Sequence, residues 1–249
     1  MKIANWQRES YNDYEGNIST IVFTPKCNYN CGYCHNPELK EYDGNLIDEK
    51  EIFDYLSTRR DWIDAVVITG GEPTNQLGLK NFVKIIKDLG FLVKLDTNGS
   101  NYKVLQELKN EKLIDYVAMD IKGPIQLYPL IIGRKFIDIR DVVGNGISLV
   151  SQFPDYEFRT TVAPIYENCN PRWMTSKEIG ETAELISDWA PEEKGIKYIL
   201  QPFKAIGKKE GNKDFMKENL PKEFHETPLK HLEECLIEAQ KHILNTKIR

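Results

Sequence analysis

Along this 249-residue chain, six short runs rich in β-branched and apolar residues alternate with stretches of helical spacing. The runs are Ser19–Thr24, Asp64–Thr69, Phe91–Asp96, Asp115–Asp120, Tyr156–Thr161 and Ile196–Gln201. The first helical stretch, Asp48 to Leu56, puts Ile52, Phe53 and Leu56 on one face behind an acidic first turn. Phe82, Ile85, Ile86 and Leu89 mark the next, stopped by Gly90, and Val104, Leu105 and Leu108 the third. A helix over Ile139–Phe153 is weakened by Gly144 and Gly146, and Ile179, Ala183, Ile186 and Ala190 carry another. The last has Leu229, Leu232, Leu236, Ala239 and Ile243 on its apolar face. Repeated β-then-α units dictate a parallel sheet with outer helices, curled into a barrel or left open. Six strands in place of eight point to a partial TIM-like (βα)6 barrel. No repeat or low-complexity linker divides the chain, so a single domain over 1–249 is expected, with its core at about 17–202 and a C-terminal loop and helix at 203–249.

The polar residues favour the barrel. Cys27, Gly70-Gly71-Glu72, Asp96-Thr97-Asn98, Asp120 with Lys122, and Gln201 all fall at or just beyond the C-terminal end of a predicted strand. In a (βα) barrel those ends form one mouth, where chemistry sits. The first strand leads straight into Cys27-Asn-Tyr-Asn-Cys31-Gly-Tyr-Cys34-His35, so three of the five cysteines lie within eight residues. A structural zinc or an ordinary iron–sulfur cluster takes four protein ligands. Three thiolates therefore point to a [4Fe–4S] cluster with one iron left for a non-protein ligand. A zinc site completed by His35 is the alternative, but His35 directly follows Cys34, a poor spacing for one ion. Cys169 is a loop thiol without a nearby partner and Cys235 a buried structural one, so no second cluster is expected.

Clustered cysteines of odd number belong to a reducing compartment and not to a disulfide framework. A net charge of −5 argues against a general nucleic-acid binder, and no apolar run reaches the roughly 20 residues of a membrane span. The N-terminal stretch lacks the apolar core of a signal peptide. A cytoplasmic enzyme is expected, with no nucleic-acid or membrane partner.

Two motifs on successive strand ends carry a resemblance. Cys27-x3-Cys31-x2-Cys34, with Tyr33 before the third cysteine, and Thr69-Gly-Gly-Glu-Pro73 together resemble the signatures of radical S-adenosylmethionine (SAM) enzymes. Within that superfamily, Val22–Leu39, Leu95-Asp-Thr-Asn-Gly-Ser100 and Ala118-Met-Asp-Ile-Lys122 resemble activating proteins of anaerobic ribonucleoside-triphosphate reductase. Pyruvate formate-lyase activases are similar at the same positions. The likeness is good over roughly residues 10–165. It departs from the pyruvate formate-lyase activases at Lys204, where they carry histidine, and at Asp13-Tyr-Glu-Gly16, where the family turn has proline. A third similar family, 7-carboxy-7-deazaguanine synthase, usually shows Glu where this chain has Asp96.

The resemblance implies that Cys27, Cys31 and Cys34 hold the cluster and that SAM chelates the open iron through its methionine amine and carboxylate. One electron then cleaves SAM to methionine and a 5′-deoxyadenosyl radical. It implies SAM contacts from Tyr33, Cys34 and His35, from Gly70, Gly71 and Glu72, from Asn98, and from Asp120-Ile121-Lys122, with Asp120 and Lys122 nearest the chemistry. Gly70 and Gly71 would let backbone approach the ligand, and Glu72 would accept from the methionine amine or hold the turn. Asp96 and Asp120 would help bind a monovalent cation. Arg159 either faces the site or makes a plain buried ion pair. The implied partners are a glycyl radical enzyme as protein substrate and flavodoxin or ferredoxin as electron donor. The loop at 204–226 is either solvated or a flap for a partner.

Overall fold

A computed structural model describes residues 1–134, 138–167, 170–191, 195–205 and 220–249. Cys169 and positions 206–219 of the lysine-rich loop lie outside the described residues. The chain forms two compact units, and both are α/β with mainly parallel strands.

The first unit comprises Met1–Asn28, Asn36–Met119 and Gln152–Tyr156. Its strands are β1 (Asn5–Ser10), β2 (Ser19–Thr24), β3 (Ala65–Gly70), β4 (Leu92–Thr97) and β5 (Tyr116–Asp120), paired in that order. β2 to β5 run parallel, in a register that sets Ile21 beside Val67, Val67 beside Lys94, and Leu95 beside Val117. The apolar run Ala65–Ile68 is fully buried, as a strand covered on both faces requires. Helix α1 (Glu49–Ser57) starts where the Asp48 carboxylate accepts from the Lys50 amide, and buries Ile52 and Leu56. Helix α2 (Leu79–Asp88) buries Leu79, Phe82, Val83 and Ile86 and ends at Gly90, whose φ of 89° only glycine adopts easily. Ile85, expected on the apolar face, is 39% exposed, and Val83 faces the core with Phe82 and Ile86. Helix α3 (Tyr102–Asn110) buries Leu105 and Leu108.

The second unit holds Tyr29–His35, Asp120–Ser151 and Glu157–Arg249. Its parallel strands are ordered β6 (Asp155–Val162), β9 (Tyr198–Pro202) and β10 (Thr246–Ile248). An antiparallel hairpin, β7 (Pro164–Glu167) and β8 (Asn170–Trp173), lies between β6 and the helices that follow. Helices α4 (Tyr128–Ile131), α5 (Ile139–Val150), α6 (Ser176–Trp189) and α7 (Leu229–Gln240) complete it. Of the two glycines that weaken α5 on propensity, Gly144 has a packing reason: a Cβ there would stand 2.4 Å from the Trp189 ring of α6. α6 opens with a capping box in which Thr175 and Glu178 satisfy each other's backbone amides. On α7, Leu232, Cys235 and Ala239 are buried, but Leu229 is 68% exposed because it is the first residue after Pro228 and precedes the packed turns.

All six expected strands are present. Among the described residues four further strands were not expected: the antiparallel edge strand β1, the two of the hairpin β7–β8, and β10. Among the described residues no helix is long and apolar enough to cross a membrane.

Candidate cofactor site

In the first unit, β3 ends in Gly70-Gly71-Glu72, and three residues there solve one packing problem. Gly70 adopts φ 113°, and a Cβ on it would lie 2.5 Å from the Thr24 nitrogen. A Cβ on Gly71 would lie 2.0 Å from the Lys26 carbonyl oxygen. The absent side chains thus admit the protein's own backbone, the segment that delivers Cys27, where approach of a ligand was the expected reason. Backbone bonds fix that approach: Gly71 N–H donates to Thr24 O and Glu72 N–H to Lys26 O, both at 2.8 Å. Lys26 itself sits at φ 65°, a left-handed conformation, and its N–H donates to Leu39 O at 2.6 Å.

Glu72 is 1% exposed and holds the turn. Its Oε1 accepts from Thr74 N–H (3.1 Å), Thr74 Oγ1 (2.6 Å) and Thr97 Oγ1 (2.6 Å), and its Oε2 accepts from Asn98 N–H (2.8 Å). Burial pushes the Glu72 carboxyl above its ordinary pKa, and the bonds from Asn98, Thr74 and Thr97 pull against that rise. From the end of β4, Asn98 Nδ2 donates to Asn28 Oδ1 at 2.9 Å and reaches Cys27 Sγ at 4.0 Å. Asn28 Nδ2 donates to Ser100 Oγ, and Ser100 N–H to Asn98 Oδ1, so Asn28, Asn98 and Ser100 form a closed polar ring beside Cys27. Asp96 is ion-paired to Lys94 Nζ at 3.0 Å.

In the second unit, Asp120 accepts from Lys122 Nζ at 3.1 Å and from Arg159 Nε at 2.9 Å. Lys122 and Asp120 share a face, as their spacing on extended backbone requires. Arg159 makes an ion pair with Asp120, partly buried, which sets it beside a candidate site residue. Burial alone would raise the Asp120 carboxyl, but Arg159 and Lys122 outweigh it and hold the pKa at about 2. Burial likewise works to lower the Lys122 ammonium, and Asp120 more than offsets it, so the group stays charged. The Lys122 N–H donates to the Tyr128 hydroxyl at 3.1 Å, and Ile121 N–H donates to Arg159 O. Tyr33 is buried, and its hydroxyl has no hydrogen-bond partner among the described residues. Its pKa is pushed up, first by burial, with Lys122 acting the other way. His35 is pushed below its ordinary pKa by burial and by Lys122, so its imidazole is neutral near pH 7. Lys204, in doubt as a ligand contact from the sequence, has a largely exposed side chain 4.0 Å from Glu226.

The three cysteines lie on the loop after β2, Cys27 within the first unit and Cys31 and Cys34 on the Tyr29–His35 segment of the second. All are thiols and none is in a disulfide. Among the described residues no group of three or more His, Cys, Asp or Glu side chains is drawn together as a site for a single metal ion. The ligand assignment therefore rests on the spacing of the thiols and on the family.

A three-thiol loop after the first parallel strand, followed by a glycine-glycine-glutamate turn after the second, defines a class of cofactor-dependent enzymes. The Radical SAM superfamily pattern matches residues 21–144. A Methanocaldococcus jannaschii protein provisionally named a glycyl-radical enzyme activating enzyme is 31% identical over 95% of this chain and 91% of its own length. A second protein of that organism, with the same provisional description, is 29% identical over 68% of this chain and 62% of its own. The 7-carboxy-7-deazaguanine synthase of Clostridium acetobutylicum is 31% identical, over only 51% of this chain and 59% of its own. Among solved structures, SuiB of Streptococcus suis bound to S-adenosylmethionine superposes with TM-score 0.58 at 14% identity, covering 92% of this chain and 51% of SuiB. TYW1 with a lysine-pyruvate adduct gives 0.57 at 16%, covering 90% and 74%. These two likenesses are of fold. The chain belongs to the radical SAM superfamily, and the fold class is the one expected, α/β with parallel strands and outer helices.

Members of that superfamily work with a [4Fe–4S] cluster and SAM, and these are the cofactors of this enzyme. The residues present fit them. Three thiols outside any disulfide are available as thiolates. The buried Tyr33 hydroxyl lacks a partner among the described residues, which is unusual for a group that costs free energy when left unmade. The Lys122 ammonium has three protons, and among the described residues it donates to the Asp120 side chain. Thr74, Asn28 and Lys94 belong to this framework and were not singled out from the sequence, whereas Thr97 was named there only as part of the strand-end run Asp96-Thr97-Asn98. Thr97 and Asn28 lie inside the quoted motifs, and Lys94 is legible as a charge in the middle of an otherwise apolar strand.

Proposed function

We propose that this enzyme is an activase that generates a glycyl radical on a partner protein, with anaerobic ribonucleoside-triphosphate reductase as that partner. The observation that carries this reading is likeness along the whole chain, 95% of it, to a relative provisionally named a glycyl-radical enzyme activating enzyme. Cys27, Cys31 and Cys34 hold the cluster. When bound, the cluster and SAM supply a one-electron reductive cleavage of a carbon–sulfur bond, giving methionine and a 5′-deoxyadenosyl radical. With these bound, the chemistry supplied would be removal of one hydrogen atom from a backbone glycine of the partner, giving 5′-deoxyadenosine and a glycyl radical at the cost of one external electron per turnover. Flavodoxin or ferredoxin supplies that electron.

The chain's own residues bind and orient. Lys122 donates to a ligand carboxylate or ribose as a point charge, and Asp120 with Arg159 keeps it ionised and in place. Tyr33, Cys34 and His35 contact SAM through an aromatic surface, backbone groups and a neutral imidazole. Asn98 ties the β4 end to Cys27. Gly70, Gly71 and Glu72 act one step back, by fixing the root of the cysteine loop. Asp96 in the first unit and Ile121 in the second are the remaining SAM contacts in this reading.

The test is anaerobic incubation of reduced, cluster-loaded enzyme with SAM and the candidate reductase. A glycyl doublet in electron paramagnetic resonance on the partner supports the reading. Deoxyadenosine without a partner radical favours a small-molecule substrate, the second reading that the partial 7-carboxy-7-deazaguanine synthase match keeps open. Replacing any of Cys27, Cys31 or Cys34 by alanine removes SAM cleavage, and retained activity would refute the ligand set.

A further inference from the structure

The family resemblance implies a monovalent cation beside Asp96 and Asp120, and the residues around these carboxylates do not fit one. Lys94 stands two positions before Asp96 on β4 and so on the same face. Its side chain is 6% exposed, an expensive place for an ammonium unless it is paired. The partners are those a potassium ion would take. Nζ donates to the Asp13 carbonyl oxygen at 2.6 Å, forms with Asp96 Oδ1 at 3.0 Å an ion pair without hydrogen-bond alignment, and lies 5.8 Å from the centroid of the Tyr116 ring. Carboxylate oxygen, carbonyl oxygen and an aromatic face bind a hard or quaternary cation and an ammonium alike. Asp120, in its own unit, is likewise occupied by Lys122 and Arg159.

We infer that the ammonium of Lys94 is a covalently built-in counter-ion of Asp96, and that SAM binding by this enzyme needs no dissociable monovalent cation. The turn Asp13-Tyr-Glu-Gly16 supplies the carbonyl that holds it, which gives that departure from the family sequence a physical neighbour. The inference rests on assigning Asp96 to the SAM side of the site. It is independent of what the radical attacks, because binding is measured with no partner protein present.

The experiment measures SAM affinity of the anaerobic, cluster-loaded enzyme by calorimetry, and by the change SAM makes in the electron paramagnetic resonance of the reduced cluster. Chloride salts of potassium, sodium and tetramethylammonium are compared at equal ionic strength. Wild type is expected to bind with the same affinity in all three. Lys94→Met is expected to bind about ten- to hundredfold more weakly in tetramethylammonium, and potassium should restore it saturably. Lys94→Arg, which keeps the charge, should remain indifferent to the salt. Wild-type binding that appears or tightens tenfold only with potassium would overturn the inference, and that measurement stands even if the methionine variant does not fold. So would a folded Lys94→Met that matches wild type in tetramethylammonium.

Discussion

Glu72→Gln separates the two roles open to this glutamate, ligand contact and keystone of the turn. Three of its four hydrogen bonds converge on Oε1 and one, from Asn98 N–H, on Oε2. A glutamine can keep its carbonyl oxygen toward the first three donors, but its NH2 then faces the Asn98 N–H. One bond to a charged acceptor is lost, about 1.5–3 kcal/mol, and a buried donor is orphaned, about 1–3 kcal/mol. Relief from burying a carboxylate offsets part of this, leaving a net loss of about 2–4 kcal/mol. In a chain of this size that lowers the melting temperature by roughly 4–16 °C at about 2–4 °C per kcal/mol. The assay pairs thermal unfolding with SAM titration well below the transition. The keystone role predicts a large loss of stability and a change of only a few fold in SAM affinity. An unchanged melting temperature with SAM binding abolished would refute it. A pH series adds a sign. The folded-state pKa of Glu72 is raised, so its contribution is fully present below the unfolded pKa and is lost as pH rises through the folded value. Glu72→Gln abolishes that loss.

Asp120 has the opposite sign: its folded pKa is depressed to about 2, so its stabilisation holds above the ordinary aspartate value near 3.9 and is lost as pH falls toward 2. Asp120→Asn should remove that acid-limb dependence and, by leaving Lys122 and Arg159 poorly paired, cost about 2–3 kcal/mol in urea unfolding, less than a fully buried pair because a third of Asp120 is exposed. Glu157, with its side chain 2% exposed, is held by both arms of Arg249 at 2.8 and 2.6 Å. Because the Arg249 side chain is itself 47% exposed, Arg249→Ala should cost about 1–3 kcal/mol in the same assay, less than breaking a fully buried pair, and Arg249→Lys should recover only part of it. Gly71→Ala has no room beside the Lys26 carbonyl and should lower iron incorporation on reconstitution, whereas Gly32→Ala, with nothing within 4 Å of the new methyl, should not.

The core strands were legible because each is a short apolar run in a fixed alternation, and burial on both faces leaves their composition little freedom. β1 was not, because Asn5-Trp-Gln-Arg-Glu-Ser is an edge strand with most residues exposed, and its polar side chains carry no alternation to read. The hairpin β7–β8 contains Pro164 and Pro171, which argue against strands from sequence, although an edge tolerates them. β10 spans only three residues. At the site, residue types were legible and some roles were not. The two glycines could be flagged from their position after β3. That the backbone they accommodate is Lys26 depends on a long-range approach that no local pattern encodes. Lys94 shows the same limit, since its carbonyl partner is Asp13, far away in sequence.

The bond from Lys26 N–H to Leu39 O joins the two ends of the segment that carries all three cysteines. It makes residues 27–38 a closed loop with a hydrogen-bonded neck. The entropy of bringing those ends together is met by folding, so a cluster being installed has only the interior of the loop left to order. The neck is buttressed by the close approach of Gly71 and by the Glu72 bond to Lys26, so every hydrogen bond in it runs between backbone groups of the protein. Opening that neck would release both ends of the cysteine segment at once, so its bonds limit how far apart the three thiols can stray.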